Sequence, residues 1–247
     1  MLQFKVQYDS LLSVPPRIHH TRARRRGRRD YHSSCGRILY ESLMSLHPLV
    51  SAYPLVSDQV SQLEVSIILN QLDGLLKKSM RGAVVEFGCY EGTTSLFLRR
   101  LLDTFHHEGP LHVYDSFEGL PEKTGSDMSA AGEQFRAGEL FASKKQLLRH
   151  FHRANLVPPV IHKAWFNLLT PSDIPDGIMY AFLDGDYYES IRDSLRLITP
   201  KLLPGAVIIV DDYANEALPG AHRAVEEWCQ GRTVKVRVEA SLAIITT

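Results

Sequence analysis

The sequence predicts an α/β protein built on a mostly parallel sheet with helices on both faces. Three observations carry this. From residue 82 onward, short apolar runs alternate with segments of helical period. Several runs are apolar throughout, as strands covered on both faces are. Two of them end in acidic clusters, Leu183-Asp184-Gly185-Asp186-Tyr187-Tyr188 and Val210-Asp211-Asp212-Tyr213. Carboxylates at the ends of neighbouring parallel strands converge on one crevice.

The elements follow in order. Residues 1–30 read as an irregular arm, because Pro15-Pro16 breaks a helix and the run from Arg22 to Arg29 repels itself. Residues 31–80 read as a helical extension. Ser33 to Val50 has helical spacing with Pro48 as its stop. Asp58 to Lys78 is an amphipathic helix, capped by Ser57 or Asp58, with Val60, Leu63, Ile67, Leu72 and Leu75 on one side. Its exposure offers a surface for a homodimer. Residues 81–247 form the main domain. Strands are expected at Ala83 to Phe87, Leu111 to Tyr114, Pro159 to His162, Ile178 to Leu183 and Ala206 to Val210. Helices are expected at Thr93 to Leu102, Lys144 to Ala154, Tyr188 to Leu197 and Ala221 to Cys229. Thr233 to Val238 and Leu242 to Thr246 have no helix between them and read as an antiparallel closing pair.

Composition excludes several classes. The 247 residues are 44% hydrophobic, enough for one sizeable core. Eight of the 28 Lys and Arg lie in residues 1–30 with only two of the 28 acids, so the remainder carries a net charge of −6. Such a body does not attract nucleic acid, and methylation of nucleic acid through residues 17–29 is a minor reading. Cys35, Cys89 and Cys229 are odd in number and lack a CxxC, against a disulfide framework or zinc site and in favour of a reducing, cytoplasmic setting. No run reaches membrane-spanning length, and no secretory signal is visible.

Three segments carry chemistry. Gly88 and Gly92 bracket the turn after the first strand, where a helix N-terminus offers free N–H groups. Asp115 ends the second strand, where an acid can accept both hydroxyls of a ribose, or cap a turn. Asp184, Asp211 and Asp212 would repel one another without a cation, so a hard divalent metal is expected there. Asp186 reads as a fourth ligand, a supporting group or the cap of the helix at Tyr188, with the last two favoured. The long connection from Asp115 to Ser143 reads as a lid or binding loop over the same edge.

The succession Val85-Glu86-Phe87-Gly88, Tyr114-Asp115-Ser116-Phe117-Glu118-Gly119-Leu120-Pro121, Trp165-Phe166, Leu183-Asp184-Gly185-Asp186-Tyr187-Tyr188-Glu189-Ser190, Pro204-Gly205 and Asp211-Asp212-Tyr213 resembles the macrocin O-methyltransferase (TylF-like) family. The resemblance runs from about Gly82 to Cys229. It implies a Rossmann-like class I methyltransferase domain, with a seven-stranded, mostly parallel sheet and an antiparallel C-terminal strand. It also implies S-adenosylmethionine and Mg²⁺ as cofactors and a small-molecule hydroxyl, typically on a natural-product sugar, as acceptor. By resemblance, Glu86, Gly88, Gly92 and Thr93 surround the methionine end, Asp115 and Ser116 the ribose, and Ala164 and Trp165 the adenine. Asp184, Asp211 and Asp212 would hold Mg²⁺, with Asp184 the first choice and Asp186 the second for the proton acceptor. Cys89, Glu91, Thr93, Ala164 and Ala206 depart from the family pattern. A phosphotransfer enzyme using Asp184-Gly185-Asp186, and a cofactor-binding module without catalysis, are the competing readings.

Overall fold

A computed structural model describes residues 46–133 and 135–247. The expected arm at 1–30, and the helical turns before Pro48, lie outside the described residues. Two helices come first, α1 (Pro48–Ala52) and α2 (Gln62–Lys77). Alternating units follow: β1 (Ala83–Phe87), α3 (Thr93–Thr104), β2 (Leu111–Asp115), α4 (Lys144–Arg153), β3 (Val160–Lys163), β4 (Ile178–Leu183), α5 (Tyr188–Ile198), β5 (Leu202–Val210) and α6 (Pro219–Cys229). The hairpin β6 (Lys235–Glu239) and β7 (Leu242–Thr246) closes the chain.

The seven strands lie in the order β3-β2-β1-β4-β5-β7-β6. β1 to β5 are mutually parallel, and β7 inserts antiparallel between β5 and β6. Phe87 pairs with both Tyr114 and Leu183, and Leu183 pairs with Val210. The residues after these four, Gly88, Asp115, Asp184 and Asp211, therefore stand on one edge. The strand order reverses between β1 and β4, which opens a crevice at that edge.

Alternate strand residues feed two cores. Val84, Val113, Phe182 and Ile209 pack with α2, α3 and α4; Val85, Leu183, Ile208 and Val210 pack with α5 and α6. Each buried Leu or Ile contributes roughly 1.5–3 kcal/mol relative to exposure. All six residues of β4 are buried, which explains its uninterrupted apolar run.

The N-terminal extension corrects three expectations. Pro48, expected as a stop, opens α1 at its first turn, since its missing N–H costs nothing there. α2 starts later than expected. Ser61, not Ser57 or Asp58, caps it, in a reciprocal box in which Ser61 Oγ accepts from Glu64 N (3.2 Å) and Glu64 Oε2 accepts from Ser61 N (2.9 Å). Leu63 consequently faces outward at 39% exposure. The apolar face of α2 is taken up by the first core, with Tyr180 Oη donating to the Ile68 carbonyl (2.9 Å).

Candidate active site

The aligned strand ends enclose a cleft of about 240 Å³. Its floor is Gly88 to Tyr90 after β1, Asp115-Ser116 after β2, Asp184 to Asp186 after β4 and Asp211-Asp212 after β5. Trp165 and Phe166 form one wall. Leu120, Phe135 and Leu140, from the long connection after β2, form another. Gln59 and Glu64 reach in from the N-terminal extension, and Asn215 from the turn before α6.

On the β1–β2 side the backbone is held by a carboxylate. Asp115 Oδ2 accepts from Cys89 N (2.8 Å) and Tyr90 N (3.3 Å), and its Oδ1 accepts from Phe117 N (2.7 Å). A carboxylate offers about four acceptor positions, so three are used and one remains for a hydroxyl. Gly88 (φ +86°) is required by the protein itself, because a Cβ there would stand 1.8 Å from the Asp184 carbonyl oxygen. Gly92 (φ +90°) is likewise pressed against Leu147 of α4.

Glu86 is buried behind this turn. Its Oε2 accepts from Ser95 Oγ (2.5 Å), while its Oε1 has no partner among the described residues. Burial pushes its pKa up to about 8, against the pull of the Ser95 hydrogen bond. Of the residues expected to hold a cofactor, Gly88, Asp115, Ser116 and Trp165 line the cleft. Glu86, Gly92, Thr93 and Ala164 stand behind its wall. Ala164 donates its N–H to the Asp115 carbonyl (3.0 Å). Thr93 is buried and bonds to Ser57, with Oγ1 accepting from Ser57 N (3.1 Å) and lying 2.8 Å from Ser57 Oγ.

The acidic side holds Glu64, Asp184, Asp186, Asp211 and Asp212, and among the described residues no Lys, Arg or His lines the cleft. Asp184, Asp186 and Asp212 each present an oxygen within 4.8 Å of the others. Asp211 stands outside that trio, with Oδ1 accepting from Asp212 N (2.8 Å) and Ser241 Oγ (3.2 Å). Burial holds all four aspartates above the usual carboxylate range, and repulsion from neighbouring acids, Glu64 in the case of Asp212, adds to it. Asp184 feels Asp211, Asp186 and Asp212; Asp211 itself is raised to about 7. Asn215 Nδ2 donates to Asp212 Oδ1 (2.7 Å), which partly offsets the rise at Asp212.

Tyr90 (φ +46°), Asp186 (φ +58°) and Asp212 (φ +56°) adopt left-handed backbone conformations that side chains disfavour. Such strain collects at functional sites. Asp186 does not cap α5, contrary to one expectation. The residue before that helix, Tyr187, gives no side-chain cap either. Asp127, from the long connection, supplies it by accepting from Tyr188 N (2.6 Å).

That connection is docked rather than free. Ser129 Oγ donates to the Glu216 carbonyl (2.7 Å), Arg223 donates to Ser126 Oγ (3.2 Å), and Leu120, Tyr187 and Leu218 form a small core with Phe135 and Leu140. Sequence reasoning did not find Gln59, Glu64, Tyr90 or Asn215 as cleft residues. For Glu64 a signal existed, the Ser61-x-x-Glu64 capping pattern, which fixed the side chain but did not reveal what it faced.

Sheet order, antiparallel insertion of β7 and cleft position together define a Rossmann-like class I methyltransferase fold. The sequence model of the family described as macrocin-O-methyltransferase (TylF) matches residues 54–241, and the chain belongs to that family. It is 33% identical over 154 residues to the 8-demethyl-8-(2,3-dimethoxy-alpha-L-rhamnosyl)-tetracenomycin-C 4'-O-methyltransferase of Streptomyces olivaceus, covering 59% of this chain and 58% of that protein. It is 28% identical over 164 residues to the demethyldecarbamoylnovobiocin O-methyltransferase of Streptomyces niveus, covering 64% and 62%. The chain thus spans about three-fifths of the length of these relatives. The structure of the O-methyltransferase NovP superposes with a TM-score of 0.64 at 23% identity, over 75% of this chain and 81% of that one.

Proposed function

We propose that this protein transfers a methyl group from S-adenosylmethionine to a hydroxyl of a small molecule, with Mg²⁺ as the metal, and that the acceptor hydroxyl belongs to a sugar of a natural product. One observation carries the reading. Five acids crowd the cleft beside the glycine turn, four of them aspartates with raised pKa values, and no basic side chain among the described residues lines it, an arrangement a divalent cation would neutralise. The relatives' names, which specify O-methylation of a rhamnosyl group and of a novobiocin precursor, support the acceptor class.

When bound, S-adenosylmethionine supplies an electrophilic methyl and Mg²⁺ supplies charge that lowers the pKa of a hydroxyl. The protein's own residues divide the remaining work. Asp184, Asp211 and Asp212 hold the cation. Asp184 is suited to its centre because it feels all the other aspartates. Asp186, grouped with Asp184 and Asp212 and without a side-chain hydrogen bond among the described residues, takes the acceptor proton on a carboxylate oxygen. This moves the first choice of base from Asp184 to Asp186.

With S-adenosylmethionine bound, Asp115 would offer its remaining acceptor position to the ribose, the unpartnered Glu86 Oε1 would face the methionine end and Trp165 would flank the adenine, while Leu120, Phe135 and Leu140 exclude water from the mouth. Much of the rate gain is positioning of the two reactants. Among the described residues no helix is long and apolar enough to cross a membrane.

Isothermal titration with S-adenosylmethionine, followed by methyl-transfer assays on glycosylated natural products with and without EDTA, tests the reading. Binding, with activity abolished by EDTA and restored by Mg²⁺, is expected. Absence of S-adenosylmethionine binding overturns it.

A further inference from the structure

The two halves of the acidic site belong to different turns. Asp184 and Asp186 lie between β4 and α5, and Asp212 lies between β5 and α6. Their oxygens gather within 4.8 Å only if those turns keep their distance. One residue outside the site spans both. Asp127 is fully buried, in a short 3-10 turn of the connection after β2. Its Oδ1 accepts from Tyr188 N (2.6 Å), two residues beyond Asp186. Its Oδ2 accepts from Thr124 N (3.0 Å) and Thr124 Oγ1 (2.6 Å).

The same carboxylate lies against the first turn of α6. A Cβ added at Gly220 would stand 2.0 Å from Asp127 Oδ1 and 2.5 Å from Tyr188 N. Glycine at 220 therefore leaves the room in which α5, α6 and Asp127 meet. Because neither residue 187 nor residue 218 offers a side-chain cap, a single negative group sits at the positive ends of both helices. Around it, Ser129 and Arg223 tie the same connection to the β5–α6 turn and to α6.

From this geometry we infer that Asp127 is a positioning residue for the cation site. It clamps the start of α5 against the start of α6 and so sets the distance between the Asp184–Asp186 turn and the Asp212 turn. The inference rests on the cation reading above. The connection after β2 then serves two ends at once, closing the cleft with Leu120, Phe135 and Leu140 and bracing the carboxylates from behind.

The test uses the full chain in two variants, Asp127→Asn and Gly220→Ala. The first keeps the shape but loses the charge and one acceptor; the second pushes the carboxylate from the opposite side. Mn²⁺ binding is read by electron paramagnetic resonance without acceptor, S-adenosylmethionine binding by calorimetry, and folding by near-UV circular dichroism. Residues that orient metal ligands from behind change affinity by about 10–100-fold when altered. A Mn²⁺ dissociation constant raised at least about tenfold in both folded variants, with S-adenosylmethionine affinity within about twofold of wild type, is the expected result. Unchanged Mn²⁺ affinity in folded variants overturns the inference. An equal loss of Mn²⁺ and S-adenosylmethionine binding also overturns it, because it marks general loosening. If the wild-type protein binds no Mn²⁺, the cation reading itself falls, and that outcome is separate from failure of the Asp127 clamp alone.

Discussion

Asp115 at the end of β2 accepts the backbone N–H of Cys89 in the turn after β1, at 2.8 Å. That bond, with its companions to Tyr90 and Phe117, makes one side chain the fastener of the cofactor side of the cleft. The turn must hold its shape at the Gly88 approach to Asp184, so its fastening also reaches the acidic side.

Asp115→Asn replaces an acceptor-only group with one that carries two N–H donors. Whichever way the amide turns, at least one backbone N–H loses its partner. An unsatisfied buried amide costs about 1–3 kcal/mol. S-adenosylmethionine affinity is expected to fall at least about tenfold, since the orientation that keeps the Cys89 and Tyr90 bonds puts the amide nitrogen at the position left for a ribose hydroxyl. Calorimetry on the folded variant decides this. Wild-type affinity there would show that Asp115 braces the turn and touches no ligand.

Glu86 makes the protein's stability depend on pH. Its pKa is raised to about 8 by burial, so the folded chain holds the proton more tightly than the unfolded one. The stabilisation is complete below the unfolded carboxyl's pKa, near 4.5, and is lost as pH rises through about 8. The slope in that window reaches about 1.4 kcal/mol per pH unit for one such group. Glu86→Gln, already neutral, is expected to flatten the decline by that share. Urea unfolding in EDTA from acid to mildly alkaline pH measures it. Parallel curves for the two proteins would mean that Glu86 is ionised in the fold.

Much of this architecture was legible in the chain because parallel strands announce themselves. Ile178 to Leu183 and Ala206 to Val210 are apolar on both faces and end in acids, and the structure sets those ends in register. The N-terminal extension was harder to read. Pro48 breaks a helix or begins one according to what precedes it, and Ser57, Asp58 and Ser61 are all competent caps. What chose Ser61 was the reciprocal bond to Glu64 and the engagement of Ser57 with Thr93, a contact 36 positions away. Asp127 looked like one polar residue among many in a loop. Its role depends on two helix starts that sequence spacing does not bring together.

The division of labour among the aspartates separates Asp186 from Asp211. Asp186→Asn is expected to leave Mn²⁺ binding within about threefold of wild type while cutting turnover by about 10²–10⁴, the range of a lost general base. Asp211→Asn is expected to lose cation binding outright, because removing one ligand also leaves its hydrogen bonds to Asp212 N and Ser241 facing an amide. The pair should be compared by electron paramagnetic resonance and single-turnover kinetics. The reverse pattern, with Asp186→Asn losing the cation and Asp211→Asn keeping it, would make the trio of Asp184, Asp186 and Asp212 the ligand set.

Thr93 offers the sharpest contrast between what the family resemblance implies and what the geometry favours. Its hydroxyl is engaged by Ser57, through a bond from Ser57 N and a second with Ser57 Oγ, and it does not line the cleft. Thr93→Ala removes both of these hydrogen bonds between α3 and the N-terminal extension. At about 0.5–1.5 kcal/mol per hydrogen bond, a loss of about 1–3 kcal/mol in stability is expected. S-adenosylmethionine affinity should stay within about twofold, a difference under about 0.5 kcal/mol. The extension also delivers Gln59 and Glu64 to the cleft, so a raised KM for the acceptor with little change in kcat should accompany the lost stability. A collapse of S-adenosylmethionine binding in a folded Thr93→Ala protein would instead return Thr93 to the methionine end of the cofactor.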